Sequence, residues 1–403
     1  MSAYIVAASR TAAGRAKGAL RDTHPVTLGS HVVDTLVRSL PSMDPSDVDD
    51  VIMGCVSQVG ANAGNLGRNV VLGSSTLPIS VPGTSVDRQC GSSQQSIHFA
   101  AQAVMSGTQD IVIAGGVESM TRVPMFSNFP KGSDGPNNDF ISDKFDVKGP
   151  FFSQFVGAEM MGAKYGIGRD AMDAFAVRSH QRAAAATAAG HFEREIAGIA
   201  GLDRDGNEIF FDKDEGIRAD SSVEKLATLQ TLVEMGACAA QPGAPEFGAI
   251  TAGNASQMSD GAAAVMIVND AGLAKLGSSV TPLARIHSLA LAANDPVLML
   301  SAPIPATEKV LARAGLGIND IDLYELNEAF AVVPMAWAQE VGADEDKLNV
   351  NGGACALGHP LGATGAKLMT TLVHELVRTE KRYGLLSICE GGGTANATIV
   401  ERC

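Results

Sequence analysis

Cys90 is the first residue whose position in the sequence suggests chemistry. It lies between a predicted strand over residues 84–87 and a predicted helix over residues 91–105. A thiol at a helix N-terminus meets the positive end of the helix dipole and unpaired backbone N–H groups, and both lower its pKa. Such a thiol could be a nucleophile. Most free cysteines are small buried apolar residues, however, so the position alone leaves both interpretations open.

His359 is the second candidate, because it lies in a rigid glycine-rich turn, residues 351–362, that has no packing reason to hold a histidine. The turn joins a predicted strand to a predicted helix in the second half of the chain. Its place there is equivalent to that of Cys90 in the first half. A histidine in this position could be the general base that activates the thiol. A purely structural role is the alternative for a lone histidine.

Cys389 and Asn327 complete the set of candidate polar residues. Cys389 and Glu390 precede the glycines at 391–393, whose backbone N–H groups could form an oxyanion hole. Asn327 precedes an apolar helix, where a simple helix N-cap is the alternative interpretation. No second histidine or carboxylate stands at metal-ligand spacing in the sequence, so we expect no zinc site.

These candidates lie on elements that the chain contains twice. Each half is predicted to hold a strand, a helix and a second strand that ends in glycines, followed by a closing strand. Alternation of strands with helices of this length predicts βαβ units and mostly parallel sheets. The four matching elements are residues 84–87, 91–105, 110–114 (ending in Gly115–Gly116) and 260–268 in the first half, and residues 347–350, 362–377, 384–389 and 393–400 in the second.

An insertion interrupts the first repeat between Met120 and Gly248. It is rich in Gly, Pro, Asp and Asn and holds a predicted helix over residues 169–190. Long insertions in α/β enzymes are usually lids or binding loops, whereas a structural or oligomer-forming excursion is the alternative. The predicted domains are therefore an N-terminal half (residues 1–119 with 249–270), a lid (residues 120–248) and a C-terminal half (residues 271–403).

Composition excludes several classes of protein. The 403-residue chain is 45% hydrophobic, which argues against a disordered protein, and no apolar run approaches the roughly 18 residues that a membrane span needs. The net charge of −14, without a basic cluster, makes nucleic acid a poor partner. Six cysteines without regular spacing are typical of reduced thiols, so we expect a cytoplasmic protein.

Five segments taken together resemble the thiolase family. They occur in the family's order and at its separations, and the resemblance extends from the first strand to the C-terminus. It implies an α/β fold of two repeated βαβαβαββ halves stacked in five layers, with a lid domain inserted in the first half. The segments are Asp87-Arg88-Gln89-Cys90-Gly91-Ser92, Thr251-Ala252-Gly253-Asn254-Ala255-Ser256, Asn327-Glu328-Ala329-Phe330, residues 351–360 with Gly358-His359-Pro360, and Cys389-Glu390-Gly391-Gly392-Gly393.

The resemblance also implies a role for each candidate residue. Cys90 would be the acylated nucleophile, His359 the base that activates it, and Cys389 the acid/base that moves the α-proton of acetyl-CoA. Asn327 would position a water that forms one oxyanion hole with His359. The backbone N–H groups of Cys90 and Gly391 would form the other.

Further implications concern coenzyme A, assembly and one departure from the family pattern. Ser256, Arg218 and Lys225 match positions near coenzyme A, which would be a substrate, so no other cofactor is expected. The chain is expected to form a homodimer or a homotetramer built from dimers. Glu390 stands where the family usually has an apolar residue, and its carboxylate leaves the pKa of Cys389 open.

The sequence of the lid bears on the length of the acyl chain. Short-chain members of the family carry a His-Met-Gly run where this sequence has Ser153, Gln154 and Phe155, and neighbouring residues 151, 152, 160 and 161 are also apolar. Each buried methylene of an acyl chain adds about 0.8 kcal/mol to the binding free energy, so a slightly longer apolar pocket gives a large preference. We therefore expect a degradative thiolase of lipid metabolism that acts on medium or longer 3-ketoacyl-CoAs. The alternative is that Phe155 plugs the pocket and leaves an acetoacetyl-CoA enzyme.

Two other functions stay open at this point. A decarboxylating ketoacyl synthase of related fold would use one cysteine with two histidines, or with a histidine and an asparagine. Cys389 in the third position argues against that enzyme. A non-catalytic acyl-CoA binding protein is the last alternative, and the presence of all four polar side chains argues against it.

Overall fold

The computed structural model describes residues 1–129, 132, 134–147, 151–238 and 248–403. The strands of these residues are β1 (Tyr4–Arg10), β2 (Gly14–Arg15), β3 (Asp50–Gly54), β4 (Gly83–Val86), β5 (Ile111–Ser119), β6 (Ile199–Leu202), β7 (Glu208–Phe211), β8 (Ser259–Val268), β9 (Ala284–Ala293), β10 (Leu323–Leu326), β11 (Tyr383–Glu390) and β12 (Thr394–Arg402). The helices are α1 (Pro25–Ser39), α2 (Leu66–Gly73), α3 (Ser92–Ser106), α4 (Asp139–Phe145), α5 (Gln154–Tyr165), α6 (Arg169–Ala188), α7 (Val223–Ala227), α8 (Asp270–Leu276), α9 (Pro303–Ala314), α10 (Val332–Val341), α11 (Ala354–Leu357) and α12 (Thr364–Thr379).

The main sheet is mixed, so the prediction of mostly parallel sheets is wrong. Its strand order is β10-β11-β12-β9-β1-β8-β5-β3-β4, with the short β2 paired to β8. The pairs β3–β4, β3–β5 and β10–β11 are parallel. The closing strand of each half, β8 or β12, instead runs antiparallel to both of its neighbours. An antiparallel contact between β1 and β9 joins the two halves.

The duplication and the five-layer arrangement are confirmed. Helices α1 and α2 share one apolar core with the first-half strands, and α9 and α10 share another with the second-half strands. The main sheet consists of two half-sheets, the first-half strands β1, β8, β5, β3 and β4 and the second-half strands β9, β12, β11 and β10. Helices α3 and α12 lie between these half-sheets, where a third core takes side chains from the strands of both halves. The first turns of α3 and α12 are in contact, because the N–H of Ala366 donates to the hydroxyl of Ser93 at 2.9 Å.

The predicted strand over residues 347–350 is wrong. A single parallel bridge joins Leu348 to Tyr324, and no strand follows it. Asn349 has a φ of 47°, which ends an extended segment, and its side-chain amide takes over the pairing with the neighbouring strand. That amide accepts the N–H of Leu326 at 2.9 Å and donates to the same residue's carbonyl at 2.9 Å. The first-half equivalent, β4, is a true strand.

The strand predicted to end at Gly115–Gly116 continues through both glycines to Ser119, as β5. A methyl group on Gly116 would overlap the carbonyl of Gly362, so the glycines allow the loop that carries His359 to lie directly on the strand. This correction matters for the site, because it brings the second-half loop against the first-half sheet.

The inserted segment contains α4 to α7 and the β6–β7 hairpin, and the predicted helix over residues 169–190 is present as α6. Arg10 in β1 connects the segment to the core, because its guanidinium bonds Glu195 at 2.6 Å and Asp214 at 2.8 Å. All three side chains are buried, so the positive charge of Arg10 and the two carboxylates compensate one another away from water. No helix in the described part of the chain has the length and apolar character that crossing a membrane requires.

Candidate active site

Cys90 occupies a tight turn between β4 and α3. Gln89 just before it has a φ of 49°, a conformation that non-glycine residues rarely adopt. The hydroxyl of Ser92 stabilises this turn, because it accepts the N–H of Arg88 at 3.0 Å and donates to the carbonyl of Gln89 at 2.6 Å. The chain therefore passes directly from strand to helix and leaves Cys90 partly exposed at the corner.

The pKa of the Cys90 thiol is raised to about 12, chiefly by desolvation and then by the carboxylate of Glu390. The predicted lowering of this pKa is therefore wrong as a net direction, because desolvation and Glu390 outweigh the lowering contribution of the backbone N–H of Cys90. The helix position was visible in the sequence, whereas the apolar surroundings and the proximity of Glu390 were not. A neutral thiol needs a base at the moment of reaction.

His359 is arranged as such a base. Its Nδ1 lies 2.6 Å from the hydroxyl of Thr364, and that hydroxyl donates to the carbonyl of Pro360 at 3.0 Å. The hydroxyl is thus the acceptor for an N–H on Nδ1, which leaves the lone pair on Nε2. The side-chain nitrogen of Asn327 lies 3.4 Å from Nε2. Burial, and secondly the charge of Lys367, lowers the pKa of His359 to about 3, so the ring is neutral at physiological pH.

Two buried glutamates hold the backbone around His359. Glu118 in β5 joins three segments, because it accepts the N–H groups of Val56, Ser57 and Gly362 at 2.9 to 3.1 Å. Glu328 accepts the hydroxyl of Ser179 at 2.7 Å, the amide of Asn349 at 2.9 Å and the N–H of Cys355 at 3.0 Å. Buried carboxylates that accept several N–H groups fix a loop whose glycines would otherwise leave it free.

Cys389 lies at the end of β11 and is buried in the outer core of the second half. Desolvation raises its pKa well above the ordinary value, followed by the charges of Cys90 and Glu390. A thiolate at Cys90 would therefore disfavour ionisation of Cys389. Gly391 packs against the side chain of Gln89, which brings the β11–β12 turn beside the Cys90 turn. Within the described residues, neither the backbone N–H of Cys90 nor that of Gly391 is bonded to another residue.

Two neighbouring cavities lie beside Cys90, Gly391 and His359. A cavity of about 330 Å³ begins at Cys90 and Gly391, and its apolar lining is Val56, Met125, Phe126, Phe129, Phe151, Phe152, Phe155, Met299 and Leu361. A second cavity of about 210 Å³ contains His359 and Ser256, together with Leu232, Met258 and Phe330. Met125, Gln154, Phe155 and Leu361 line both cavities and so form the partition between them.

The predicted residues near coenzyme A separate into two groups. Ser256 and Phe155 line the cavities. Arg218 and Lys225 are exposed on the inserted segment and line neither cavity. The ammonium of Lys225 lies 2.6 Å from a carboxylate oxygen of Asp220. No group of three or more His, Cys, Asp or Glu side chains in the described ranges is arranged to hold a metal ion.

Sequence reasoning missed several residues that the structure brings to the site. Thr364, five residues after His359, had a usable signal, since a hydroxyl in the first turn of a predicted helix can face the preceding loop. Glu118, an acid at the end of an apolar strand, was a similar signal. Phe126, Phe129 and the strained Gln89 had none, because their contacts depend on how the inserted segment lies over the Cys90 turn.

The comparisons with known proteins agree with this geometry. The family model described as "Thiolase, N-terminal domain" matches residues 3–271, and "Thiolase, C-terminal domain" matches residues 280–402. The steroid 3-ketoacyl-CoA thiolase FadA6 of Mycobacterium tuberculosis is 47% identical over 99% of this chain and 94% of its own length. Relatives named 3-ketoacyl-CoA thiolase include one from Shewanella sp. (strain ANA-3), 41% identical over 99% of both chains, and one from Aeromonas salmonicida, 40% identical over 99% and 98%. Both thiolase domain models match, and the relatives are 40–47% identical over almost the whole chain, so the chain belongs to the thiolase family.

Proposed function

We propose that this thiolase cleaves 3-ketoacyl-CoA with coenzyme A in the degradative direction, and that it takes acyl groups of medium length or larger. The observation that carries the proposal is the aromatic-walled cavity of about 330 Å³ that opens at Cys90. A water molecule occupies about 30 Å³ in the liquid, so the cavity has far more room than an acetyl group needs. The relatives named 3-ketoacyl-CoA thiolase support the same substrate class.

The proposed cycle begins with activation of Cys90. His359 is neutral, and its Nε2 is the nitrogen that Thr364 leaves free to accept a proton. Nε2 takes the thiol proton as the sulfur attacks C3 of the 3-ketoacyl-CoA. The oxyanion that forms would be bound by the unpaired N–H groups of Cys90 and Gly391.

Cleavage of the C2–C3 bond then leaves the acyl group on Cys90 and the electron pair on the enolate of acetyl-CoA. Cys389 would donate the proton that converts this enolate to acetyl-CoA, and its raised pKa keeps that proton in place until it is needed. Asn327 would hold the water that binds the enolate oxygen, since its buried side-chain oxygen has no partner within the described protein.

The second half of the cycle transfers the acyl group to coenzyme A. The Cys389 thiolate takes the proton of the incoming CoA thiol, and the new thiolate attacks the Cys90 thioester. The Cys90 sulfur leaves and recovers its proton from His359, which returns all three groups to their starting forms. One thioester replaces another, so the transfer is nearly isoenergetic, and this is the physical reason for a cysteine nucleophile.

The position of Phe155 argues against the plug interpretation. Its ring meets the ring of Phe330 edge to face, with centroids 6.1 Å apart and planes at 84°. Phe155 therefore belongs to the partition between the cavities, and the space beyond Cys90 stays open. Met160 and Met161, expected near the alkyl tail, instead pack against the outer core of the second half. The short-chain acetoacetyl-CoA alternative is not favoured.

An acyl group that carries rings is a second candidate, on two observations. Phe151 stacks on Phe126 with centroids 5.1 Å apart and on Phe129 at 6.2 Å, which gives the cavity flat aromatic walls. One of the most similar relatives is named a steroid 3-ketoacyl-CoA thiolase. Flat walls accept a ring system face on, whereas an alkyl chain gains little from them beyond burial.

The test is a comparison of kcat/KM across straight-chain 3-ketoacyl-CoAs from four to twelve carbons, with a cyclohexyl-bearing 3-ketoacyl-CoA alongside. Thiolysis is followed by loss of the magnesium–enolate absorbance. Values that rise beyond four carbons support the proposal, and a further rise for the cyclic substrate supports the second candidate. A steady fall beyond four carbons would contradict both while leaving the thiolase reaction intact.

Assembly and location are also parts of the proposal. The sheet ends at β4, whose outer edge has no partner strand in the described chain, and exposed Leu72 and Ile79 lie on neighbouring segments. An unpaired edge beside apolar side chains favours pairing with a second copy, as a homodimer or a homotetramer of dimers. Light scattering at micromolar concentration tests this, and a monomer mass would contradict it. All six cysteines are free thiols, which favours the cytoplasm.

A further inference from the structure

Glu390 lies next to Cys389 in the sequence but on the opposite face of β11. Successive side chains of a strand point to opposite faces. Cys389 belongs to the outer core of the second half, whereas Ile388, which shares the face of Glu390, belongs to the central core between the two half-sheets. The Glu390 carboxyl therefore points into the central layer, towards the N-terminus of α3, and the residue is only 1% exposed.

One oxygen of this carboxyl has a partner and the other has none. Oε2 accepts the hydroxyl of Thr394 at 2.7 Å, whereas Oε1 is buried without a hydrogen-bond partner. A methyl group on Gly91 would overlap Oε1. Gly91 caps α3 and directly follows Cys90, so an acidic oxygen with no partner lies against the residue next to the nucleophile.

The charged and titratable groups around Glu390 come from several elements. Arg88, in the turn before α3, lowers the pKa of Glu390, as does the hydroxyl of Thr394, but desolvation outweighs both and raises that pKa to about 7. The Glu390 carboxylate in turn disfavours the thiolate of Cys90 and that of Cys389. Glu118 and Asp87 act on Cys90 in the same direction, with smaller effects. Two anions at one helix N-terminus oppose each other's ionisation.

We propose that Glu390 restrains the nucleophile: its carboxylate adds to desolvation in keeping Cys90 in the neutral thiol form in the resting enzyme, and Thr394 sets the pH range over which it does so. The inference rests on the proposed role of Cys90 and adds a residue that acts through it. A carboxylate beside the thiol is not needed for the chemistry itself, since His359 removes the thiol proton during the reaction. Its effect is to protect Cys90 from alkylation and oxidation before substrate arrives.

The sign of the pH dependence follows from the two ionisations. Below about pH 7 Glu390 is protonated and does not oppose the thiolate. As the pH rises through 7, Glu390 becomes charged and the thiolate of Cys90 becomes harder to form. The thiolate fraction in the wild type therefore rises less steeply with pH than that of an isolated thiol. Glu390→Gln removes the opposing charge at every pH, and Thr394→Val raises the pKa of Glu390 and delays its effect to higher pH.

The experiment is alkylation of the full-length protein by iodoacetamide between pH 6 and 10, without any CoA substrate, with the modified Cys90 peptide quantified by mass spectrometry. We expect Glu390→Gln to alkylate Cys90 about tenfold faster than the wild type at pH 8, because a nearby like charge no longer opposes formation of the thiolate. Glu325→Gln is the matched control. Glu325 is also buried with an unpartnered oxygen, on β10, but it is not among the groups that affect Cys90.

The outcome decides the proposal without reference to turnover. The proposal would be overturned if the rate of Cys90 alkylation in Glu390→Gln had the same pH dependence as in the wild type and in Glu325→Gln. Thr394→Val provides the same decision if Glu390→Gln does not fold: faster alkylation than the wild type at pH 7.5 supports the restraint, and an unchanged rate contradicts it. Because no substrate is present, failure here is distinct from failure of the proposed thiolysis.

Discussion

The two strand-to-helix turns at the active site occupy equivalent places in the repeats but differ in exposure. The first follows β4 at the edge of the sheet and leaves Cys90 partly exposed. The second has no strand before it, and every residue from 351 to 373 is buried, His359 included. The two equivalent turns of the repeats are thus an accessible turn at Cys90 and a buried loop at His359.

The difference suits the two chemical tasks. A nucleophile has to be reached by the thioester, and its neighbourhood here raises its pKa, so it stays neutral at rest. A base has to be unprotonated when substrate arrives, and burial lowers the pKa of His359 to about 3. Equal exposure of the two turns would give a histidine that is partly protonated near pH 6.5. The predictions below separate the two turns by their effects.

The largest effect is expected for Cys90→Ala. Loss of the acyl-accepting atom should reduce turnover by about 10⁴-fold or more. It should also abolish acetylation of the protein by acetyl-CoA. The melting temperature should change little, because Cys90 is partly exposed. Intact-mass analysis followed by peptide mapping locates the acetyl group. An acetyl group on Cys389 in the wild type would show that Cys90 is not the nucleophile.

Cys389→Ala should be nearly as severe for turnover but should leave acylation in place. Its thiol is expected to carry the α-proton, so the variant should still accept an acetyl group on Cys90 and fail to exchange the methyl protons of acetyl-CoA with deuterated solvent. NMR of the recovered acetyl-CoA measures this exchange. Equal loss of acylation and exchange would show that the two thiols do not have separate roles.

The enclosed turn is tested by His359→Ala. Without the base, acylation of Cys90 should slow by about 10²–10⁴-fold. Thr364→Val should slow it less, by about tenfold, because the ring remains but Nδ1 loses the partner that sets its tautomer. Stopped-flow release of acetyl-CoA from a 3-ketoacyl-CoA gives the rates. A threonine variant as slow as the histidine variant would mean that Thr364 does more than orient the ring.

A smaller effect is expected on stability. His98 in α3 is buried, and its pKa is lowered from 6.5 to about 3. Below pH 6.5 the unfolded chain binds a proton that the folded chain refuses, so this histidine reduces stability as the pH falls, by about 1.4 kcal/mol per pH unit. Urea unfolding at pH 7.5 and 5.5 should therefore show a smaller pH effect in His98→Gln than in the wild type. Equal pH effects would contradict the lowered pKa.

The smallest effect is expected for Arg218→Ala and Lys225→Ala. Both side chains are exposed, and Lys225 already pairs with Asp220. Exposed charges contribute little to binding, so the KM for coenzyme A should rise by about two- to fivefold with kcat unchanged and the effect should shrink in salt. A loss of kcat in either variant would place these residues nearer the reacting atoms than the cavities suggest.

Sequence predicted the parts of the molecule that depend on local pattern. The strand–helix alternation, the repeat and the turns that hold Cys90 and His359 are local features, and they are present. The predicted strand at 347–350 is wrong because the side chain of Asn349, and not the backbone, pairs with the neighbouring strand. The periodicity of the sequence does not indicate that a side chain takes the place of the backbone. The direction of the Cys90 pKa was wrong because the helix is local, whereas burial and the Glu390 carboxylate are tertiary.

Trapping the acyl-enzyme tests the central claim most directly. Incubation of the wild type with 3-ketooctanoyl-CoA in the absence of free coenzyme A, followed by acid quench and peptide mapping, should find a hexanoyl group on Cys90 and one equivalent of acetyl-CoA in solution. That result requires an accessible thiol, cleavage between C2 and C3, and a cavity that holds six carbons. A hexanoyl group on Cys389, or an acetyl group alone on Cys90, would contradict the account.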